Sequence, residues 1–192
     1  NWTQSPTFDP ETRTRLRAEL GLAANTVLIG ALGRAEPGKG MDVLLDAWRQ
    51  LAPDPARARL ALVGAGSAWK ALRASASPEV LMPGFVEHSA DWLSAFDVFV
   101  SPARNEPFGL VLLEAMRSGL PILASASEGA RHLAEVIGRP LLPIGDADAL
   151  AAALRPLLDA PPPRQAYALE RFGADARMAE IEAWYARLTP AA

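Results

Sequence analysis

The segment that decides the fold runs from Val98-Phe99-Val100 through a short loop to Glu106-Pro107-Phe108-Gly109-Leu110-Val111-Leu112-Leu113-Glu114. The apolar triplet predicts a buried strand, and the apolar run after the Phe-Gly turn predicts the start of a helix. Backbone N–H groups at a helix start are free to bind an anion. Because two carboxylates flank this start, the segment suits a ligand with a phosphate at one end and sugar hydroxyls at the other.

Short apolar runs recur along the chain and alternate with helical patterns. The predicted strands lie at residues 27–29, 60–63, 80–82, 98–100 and 122–123. Near-continuous apolar strands separated by helices indicate a parallel sheet that is covered on both faces. We therefore predict an α/β fold with a Rossmann-like, doubly wound parallel sheet. In such a sheet the ligand lies beyond the carboxyl ends of the strands.

Size, charge and composition limit the function. The chain has 192 residues, of which 50% are hydrophobic and 21% are charged, and its net charge is −3. This predicts one globular domain or lobe with a substantial core, and no nucleic-acid partner, because a basic excess is absent. The chain has no cysteine, which excludes a disulfide framework. No apolar run reaches the roughly 18–20 residues of a membrane-spanning helix.

A second loop with binding chemistry follows the first predicted strand and reads Gly33-Arg34-Ala35-Glu36-Pro37-Gly38-Lys39-Gly40. Glycines let the backbone approach a ligand closely, and the Arg and Lys side chains supply cations for phosphate oxygens. A plain strand-to-helix turn with solvated basic residues is the simpler interpretation. The loop nearly matches a P-loop, but that motif requires Ser or Thr in place of Gly40 to hold Mg²⁺. A P-loop-like nucleoside triphosphatase is therefore disfavoured.

The remaining polar residues have structural explanations. Asp146 and Asp148 precede an Ala-Leu helix, where capping and the helix dipole account for them. Ser89 is a further predicted helix cap. His88 and His132 have no partner at metal-ligand spacing, so we expect no metal site. A dinucleotide dehydrogenase is disfavoured because no G-x-G-x-x-G follows the first strand.

The pattern changes near Pro161-Pro162-Pro163, after which helices are predicted at about residues 164–172 and 174–188. An apolar stripe on the second of these helices contains Ile181, Trp184, Tyr185 and Leu188. We interpret the stripe as a face that packs onto the rest of the domain. Docking onto a separate partner domain is the alternative.

Taken together, these motifs resemble the donor-binding lobe of retaining glycosyltransferases of the two-Rossmann-domain (GT-B) type, in particular glycosyl transferases group 1, the family-four type. The resemblance extends over about residues 8–158. It is carried by both loops and by Leu62-Val63-Gly64-x-Gly66, Gly84-Phe85-Val86, Glu114-Ala115-Met116, Gly119-x-Pro121 and Gly145-Asp146.

The resemblance implies a nucleoside-diphosphate sugar as the donor, with no cofactor and no metal. It implies catalytic roles for Arg34 and Lys39, which hold the donor diphosphate, and for Glu106, which contacts sugar hydroxyls. It also places Glu114 on the ribose hydroxyls. Further residues implied in donor binding are Phe85 and Val86 beside the nucleobase, together with Gly33, Pro107, Phe108, Gly109 and Leu110.

The resemblance also implies what lies outside the sequence. A complete enzyme of this type carries an N-terminal acceptor domain, so we expect residues 1–192 to form a single donor-binding domain that is inactive alone. The expected acceptor is lipid-linked or a polysaccharide, and the expected location is the cytoplasm or the inner face of the membrane. The alternative function is a non-catalytic nucleotide- or phosphate-binding module. One departure is Ser127-Glu128-Gly129 with His132, where many relatives carry a Gly-Gly pair and a Glu.

Overall fold

A computed structural model describes residues 7–188, and in this range the strands form one parallel sheet. They are β1 (Val27–Leu32), β2 (Ala58–Val63), β3 (Leu81–Gly84), β4 (Val98–Ser101) and β5 (Ile122–Ala124). Their order is β3-β2-β1-β4-β5, and every pairing is parallel. The predicted Rossmann-like α/β fold is confirmed, with each strand within a few residues of its predicted position.

Helices connect the strands and cover the sheet. They are α1 (Pro10–Glu19), α2 (Met41–Leu51), α3 (Trp69–Ser75), α4 (Ser89–Ala95), α5 (Leu110–Arg117), α6 (Glu128–His132), α7 (Ala134–Ile137), α8 (Ala147–Leu154) and α9 (Ala174–Leu188). Short 3₁₀ turns occur at Pro37–Lys39, Arg155–Leu158 and Glu170–Phe172. No helix within residues 7–188 combines the length and apolar character that a membrane crossing requires.

Strand β1 lies at the centre of the core and is buried on both faces. Val27 and Ile29 belong to the apolar cluster under α2 and α8, whereas Leu28 belongs to the cluster under α4 and α5. Alternate residues of a strand point to opposite faces, so this division requires helices on both sides of the sheet. The near-continuous apolar pattern of β1 is thereby explained.

The position of the site follows from the strand order. The chain passes from β1 to β2 and β3 on one side of β1, and then returns to place β4 on the other side. Ile29 of β1 pairs with Val98 of β4, so their two following loops leave the same edge of the sheet side by side. This is the topological switch point, where open α/β sheets bind ligands.

One predicted helix cap is confirmed and one is wrong. Asp146 accepts from the amide of Ala149, as predicted, and Asp9 caps α1 in a similar way by accepting from the amide of Glu11. The prediction for Ser89 is wrong, because Ser89 is the first residue of α4 and His88 occupies the cap position without a side-chain bond.

The predicted helix at residues 164–172 is also wrong, since only Glu170–Phe172 forms a helical turn there. The segment bonds to the domain instead of to itself. Arg164 donates to the carbonyls of Leu93, Ser94 and Phe96 at the end of α4. Tyr167 Oη donates to the carbonyl of Leu120 at 2.7 Å. These tertiary bonds outcompete a local helix.

Helix α9 forms as predicted, but its apolar stripe does not pack onto the domain. Ile181, Trp184 and Tyr185 are 43%, 53% and 61% exposed, and Met178 on the same helix is 48% exposed. The side chain of Leu188 lies outside the described residues. Our packing interpretation is therefore wrong for the described part of the stripe, and this surface is open to a partner.

Candidate donor-binding site

The loop after β1 is shaped by a 3₁₀ turn at Pro37–Lys39, which ends at Gly40 in the left-handed conformation (φ 68°). A Cβ atom on Gly40 would lie 2.0 Å from the carbonyl oxygen of Pro102. Neither Ser nor Thr fits there, although a P-loop needs one of them at this position. The geometry thus explains the missing hydroxyl and argues against a P-loop.

The loop after β4 is bonded directly to the loop after β1. The amides of Arg104 and Asn105 both donate to the carbonyl of Gly38, each at 2.9 Å. The guanidinium of Arg104 also grips Asp42 at 2.7 and 2.6 Å and donates to the carbonyl of Pro37 at 3.1 Å. These bonds fix the turn that carries Lys39.

The pKa values of the Arg104–Asp42 pair reflect this contact. The hydrogen bonds from Arg104 lower the pKa of the Asp42 carboxyl below its ordinary value. The same bonds raise the pKa of the Arg104 guanidinium. Both shifts favour the charged pair, which is bidentate and therefore geometrically specific.

The short helix α6 holds the loop after β4 from its other side. The amide of Gly129 donates to the carbonyl of Glu106 at 2.6 Å. A Cβ atom on Gly129 would lie 2.5 Å from the carbonyl carbon of Phe108 and 2.8 Å from the carbonyl oxygen of Glu106. A glycine is therefore required at this position for α6 to approach the loop so closely.

Between the two loops lies a cavity of about 390 Å³, at the carboxyl ends of β1 and β4. Two cationic residues, Arg34 and Lys39, and two acidic residues, Glu106 and Glu114, line it. Further residues of the predicted site that line it are Gly33, Pro107, Phe108 and Leu110. The structure thus brings the two predicted loops into one crevice.

Lys39 and Glu106 make direct contact in this crevice. The ammonium Nζ of Lys39 lies 2.5 Å from Oε2 of Glu106, and the two side chains are 25% and 13% exposed. The other carboxylate oxygen of Glu106 accepts from the amide of Gly109, just before α5, at 3.1 Å. Arg34 is exposed and makes no ion pair within residues 7–188.

Phe85 and Val86 line a second cavity, not the one that contains Glu106. This cavity of about 320 Å³ lies between the ends of β1 and β2, and its lining includes Gly33 and Arg34. Because Gly33 and Arg34 line both cavities, the two meet at the end of β1. The Phe85 side chain is 81% exposed, so its ring is available for contact.

The histidines and acids outside the crevice have structural surroundings. His132 is exposed, and its ring contacts Phe108 and Phe172 with centroid distances of 5.7 and 6.1 Å. Asp97 accepts from Arg13, Arg17 and the amide of Leu28, which binds α1 to β1. Among residues 7–188, no three His, Cys, Asp or Glu side chains are grouped in a metal-binding arrangement.

Sequence reasoning missed the residues that hold the two loops together, namely Arg104, Asn105, Asp42 and Gly129. Their contacts join positions far apart in the chain, so no local spacing identifies them. One signal was visible: the departure at Ser127-Glu128-Gly129 marks the segment that approaches the Glu106 loop.

Comparisons with known proteins match this chain to sugar-transferring enzymes. The family model described as "Glycosyl transferases group 1" matches residues 26–160. The chain is 37% identical over 169 residues to D-inositol 3-phosphate glycosyltransferase of Geodermatophilus obscurus. It is 33% identical over 164 residues to the GDP-mannose-dependent monoacylated alpha-(1-6)-phosphatidylinositol monomannoside mannosyltransferase of Corynebacterium glutamicum. Each alignment covers 79% of this chain, which spans only 37% and 43% of these two relatives.

Solved structures show the same fold. HepE of Anabaena in complex with UDP-glucose superposes with a TM-score of 0.77 at 27% identity, covering 94% of this chain and 54% of that one. Sucrose-phosphate synthase of Thermosynechococcus elongatus superposes with a TM-score of 0.73 at 28% identity, covering 96% and 51%. The described lobe therefore corresponds in size to about half of each of these proteins.

Proposed function

Because this chain belongs to the glycosyl transferases group 1 family, we propose that it is the donor-binding lobe of a retaining glycosyltransferase. The whole enzyme would transfer a sugar from a nucleoside-diphosphate sugar to an acceptor. The observation that carries the proposal is the crevice at the switch point, which is lined by the cationic residues Arg34 and Lys39 and by the carboxylates of Glu106 and Glu114. Such a crevice offers cations to a diphosphate and carboxylates to sugar hydroxyls.

The two adjoining cavities suggest how the donor lies. The nucleobase occupies the second cavity beside Phe85 and Val86, and the sugar occupies the first beside Glu106. The diphosphate then passes the end of β1, where Gly33 leaves room and Arg34 borders both cavities. Glu114 takes the ribose hydroxyls. The backbone from Pro107 to Leu110 contacts sugar or phosphate.

The chemistry assigned to this lobe is stabilisation of the leaving group. When the bond between the anomeric carbon and the β-phosphate oxygen breaks, negative charge develops on the nucleoside diphosphate. Arg34, Lys39 and the N–H groups at the start of α5 are placed to receive that charge. The amides of Leu110 and Val111 have no backbone acceptor in the described part of the chain. We propose that these donors stabilise the negative charge of the leaving group, which other transferases stabilise with a metal ion.

The acceptor and the second lobe lie beyond this chain. The alignments cover only 37% and 43% of the two curated relatives named above, and α9 leaves an apolar stripe exposed. We assign that stripe to contact with an N-terminal acceptor domain. Since one lobe does not close a cleft around two substrates, the chain alone should bind donor but transfer little sugar. We propose a lipid-linked or polysaccharide acceptor and a location in the cytoplasm or at the inner face of the membrane; the phosphatidylinositol monomannoside in the name of the Corynebacterium glutamicum relative supports a lipid-linked acceptor.

Calorimetry on the chain with UDP, GDP and ADP, and with the corresponding triphosphates, in EDTA and then in Mg²⁺, tests the proposal. We expect one diphosphate to bind without metal, and Arg34→Ala and Lys39→Ala each to weaken binding about tenfold or more, as for charge-assisted phosphate contacts. The exposed Arg155→Ala is the matched control. A strict requirement for Mg²⁺ and a triphosphate would contradict the proposal.

A further inference from the structure

Glu106 occupies a place that suits an anionic ligand. Its two carboxylate oxygens are held by different donors, Oε2 by the Lys39 ammonium at 2.5 Å and Oε1 by the Gly109 amide at 3.1 Å. A cation together with a helix-start amide is the pair of donors that binds phosphate in many proteins. Lys39 lines the crevice to which the proposed function assigns the donor diphosphate, and Gly109 lies between Phe108 and Leu110, which also line it.

A diphosphate and the Glu106 carboxylate compete for these donors. The amide of Gly109 has a single hydrogen to donate, so it serves one anion at a time. Lys39 has three donors, but two anions at one ammonium repel each other in a partly buried site. The Glu106 side chain is 13% exposed, which limits screening by water. Diphosphate binding therefore requires Glu106 to turn away.

Within Glu106, the side chain can rotate but the backbone cannot. Its carbonyl accepts from the amide of Gly129 at 2.6 Å, which fixes the backbone against α6. The carboxylate then moves by rotation about side-chain bonds, within the same crevice. If the ligand is a nucleotide sugar, the displaced carboxylate contacts sugar hydroxyls. If the ligand is a nucleoside diphosphate, the displaced carboxylate contacts only water.

We propose that Glu106 is a displaceable internal anion that makes this lobe discriminate between a nucleotide sugar and the nucleoside diphosphate left after transfer. This inference rests on the proposed function and extends it to product release. A nucleotide sugar offers the displaced carboxylate new hydrogen bonds. A nucleoside diphosphate does not, so Glu106 returns to Lys39 and Gly109 and expels it.

The test compares Glu106→Gln with the unaltered chain, because Gln keeps the size and one acceptor oxygen but removes the charge. Calorimetry uses UDP with UDP-glucose, and GDP with GDP-mannose. We expect the diphosphate to bind about fivefold more tightly to Glu106→Gln, the scale of a partly buried ion pair. The nucleotide sugar should gain less or lose affinity, so the preference for sugar over diphosphate falls. Glu135→Gln, on an exposed side chain, should change neither affinity.

A second variant keeps the inference testable if Glu106→Gln does not fold. Glu106→Asp keeps the charge but is one methylene shorter, so it no longer spans the distance to Lys39, and it too should bind the diphosphate more tightly. Unchanged or weaker diphosphate binding in both folded variants, while Lys39→Ala still weakens it, would overturn the inference and leave the proposed function standing. If the unaltered chain binds neither UDP nor GDP, the proposed function fails and the inference falls with it.

Discussion

The contact between Gly129 and the Glu106 loop makes a prediction whose size follows from the structure. In Gly129→Ala the new Cβ would meet the carbonyl carbon and oxygen of Phe108 at 2.5 and 2.6 Å, and the carbonyl oxygen of Glu106 at 2.8 Å. All three atoms belong to the backbone, so the clash cannot be relieved by rotation of a side chain. Either α6 or the loop must move by about an ångström to restore ordinary contact distances of roughly 3.5–4.0 Å.

The expected change in the free energy of unfolding of Gly129→Ala is the sum of one stabilising contribution and two destabilising ones. Ala in place of Gly favours a helix by up to about 1 kcal/mol. Overpacking against fixed atoms costs about 1–3 kcal/mol, and the hydrogen bond from Gly129 to Glu106, once stretched, loses about 1 kcal/mol more. The net expectation is a loss of about 1–3 kcal/mol in the free energy of unfolding, a fall of roughly 2–12 °C in Tm for a chain of this size.

The matched control is Gly38→Ala, the same substitution in the neighbouring loop. Gly38 does not have a positive φ, and a Cβ there would meet Asn105 at an ordinary 3.6 Å. Reduced entropy of the unfolded chain should make this variant equal or more stable, by up to about 1 kcal/mol. Urea unfolding followed by circular dichroism measures both. Equal stability of Gly129→Ala and Gly38→Ala would refute the claim that α6 is wedged against the site loop.

Three further predictions concern other parts of the lobe. Arg164→Ala should lower the free energy of unfolding by about 2–4 kcal/mol, because it leaves the α4 carbonyls unpaired. The control Arg155→Ala, at an exposed residue, should change the free energy of unfolding little. Equal losses for the two variants in urea titrations would be inconsistent with the role of Arg164 in pairing these carbonyls. Because Arg104 lowers the pKa of Asp42, the pair's stabilisation is present above the unfolded pKa of 3.8 and is lost as pH falls through the lower folded value. Asp42→Asn should therefore flatten the dependence of stability on pH below about 4, and an unchanged slope would contradict the shift. Phe85→Ala, at an 81% exposed ring, should leave Tm unchanged while weakening nucleotide binding about tenfold, as expected for lost base stacking; unaltered affinity would exclude this ring from the base site.

The strands of the fold could be predicted because each is a short apolar run buried on both faces. The edge strand β3 shows the limit of this signal. Its predicted residues were 80–82, but the strand is Leu81–Gly84 and includes Pro83, which removes an amide from the pattern. The segment at residues 164–172 shows a different limit, since its bonds go to α4 and β5 neighbours that no local pattern identifies.

The apolar stripe of α9 was recognised, but its partner was not. Periodicity places apolar residues on one helix face and does not say what covers that face. In the structure Trp184 and Tyr185 contact each other, with ring centroids 5.2 Å apart, and both remain more than half exposed. The same sequence signal is thus compatible with packing onto the domain and with docking onto a second one.

The two loops of the candidate site were predicted separately, and the structure shows that they lie side by side. Parallel pairing of β1 with β4 places the loops side by side, so Lys39 meets Glu106 across 67 residues of chain. The clamp of Arg104 on Asp42 depends on the same pairing and had no sequence signature. The residue types could be chosen from sequence, whereas their contacts follow only from the strand order.

The central claim is that a nucleoside diphosphate binds between Lys39 and the start of α5. A crystal structure of the chain with UDP or GDP tests it most directly. We predict phosphate oxygens within about 3.2 Å of Lys39 Nζ and of an amide at the start of α5, without a bridging metal. A nucleotide bound elsewhere, for instance in the cavity beside Trp48 and Arg59 at the opposite edge of the sheet, would contradict the account.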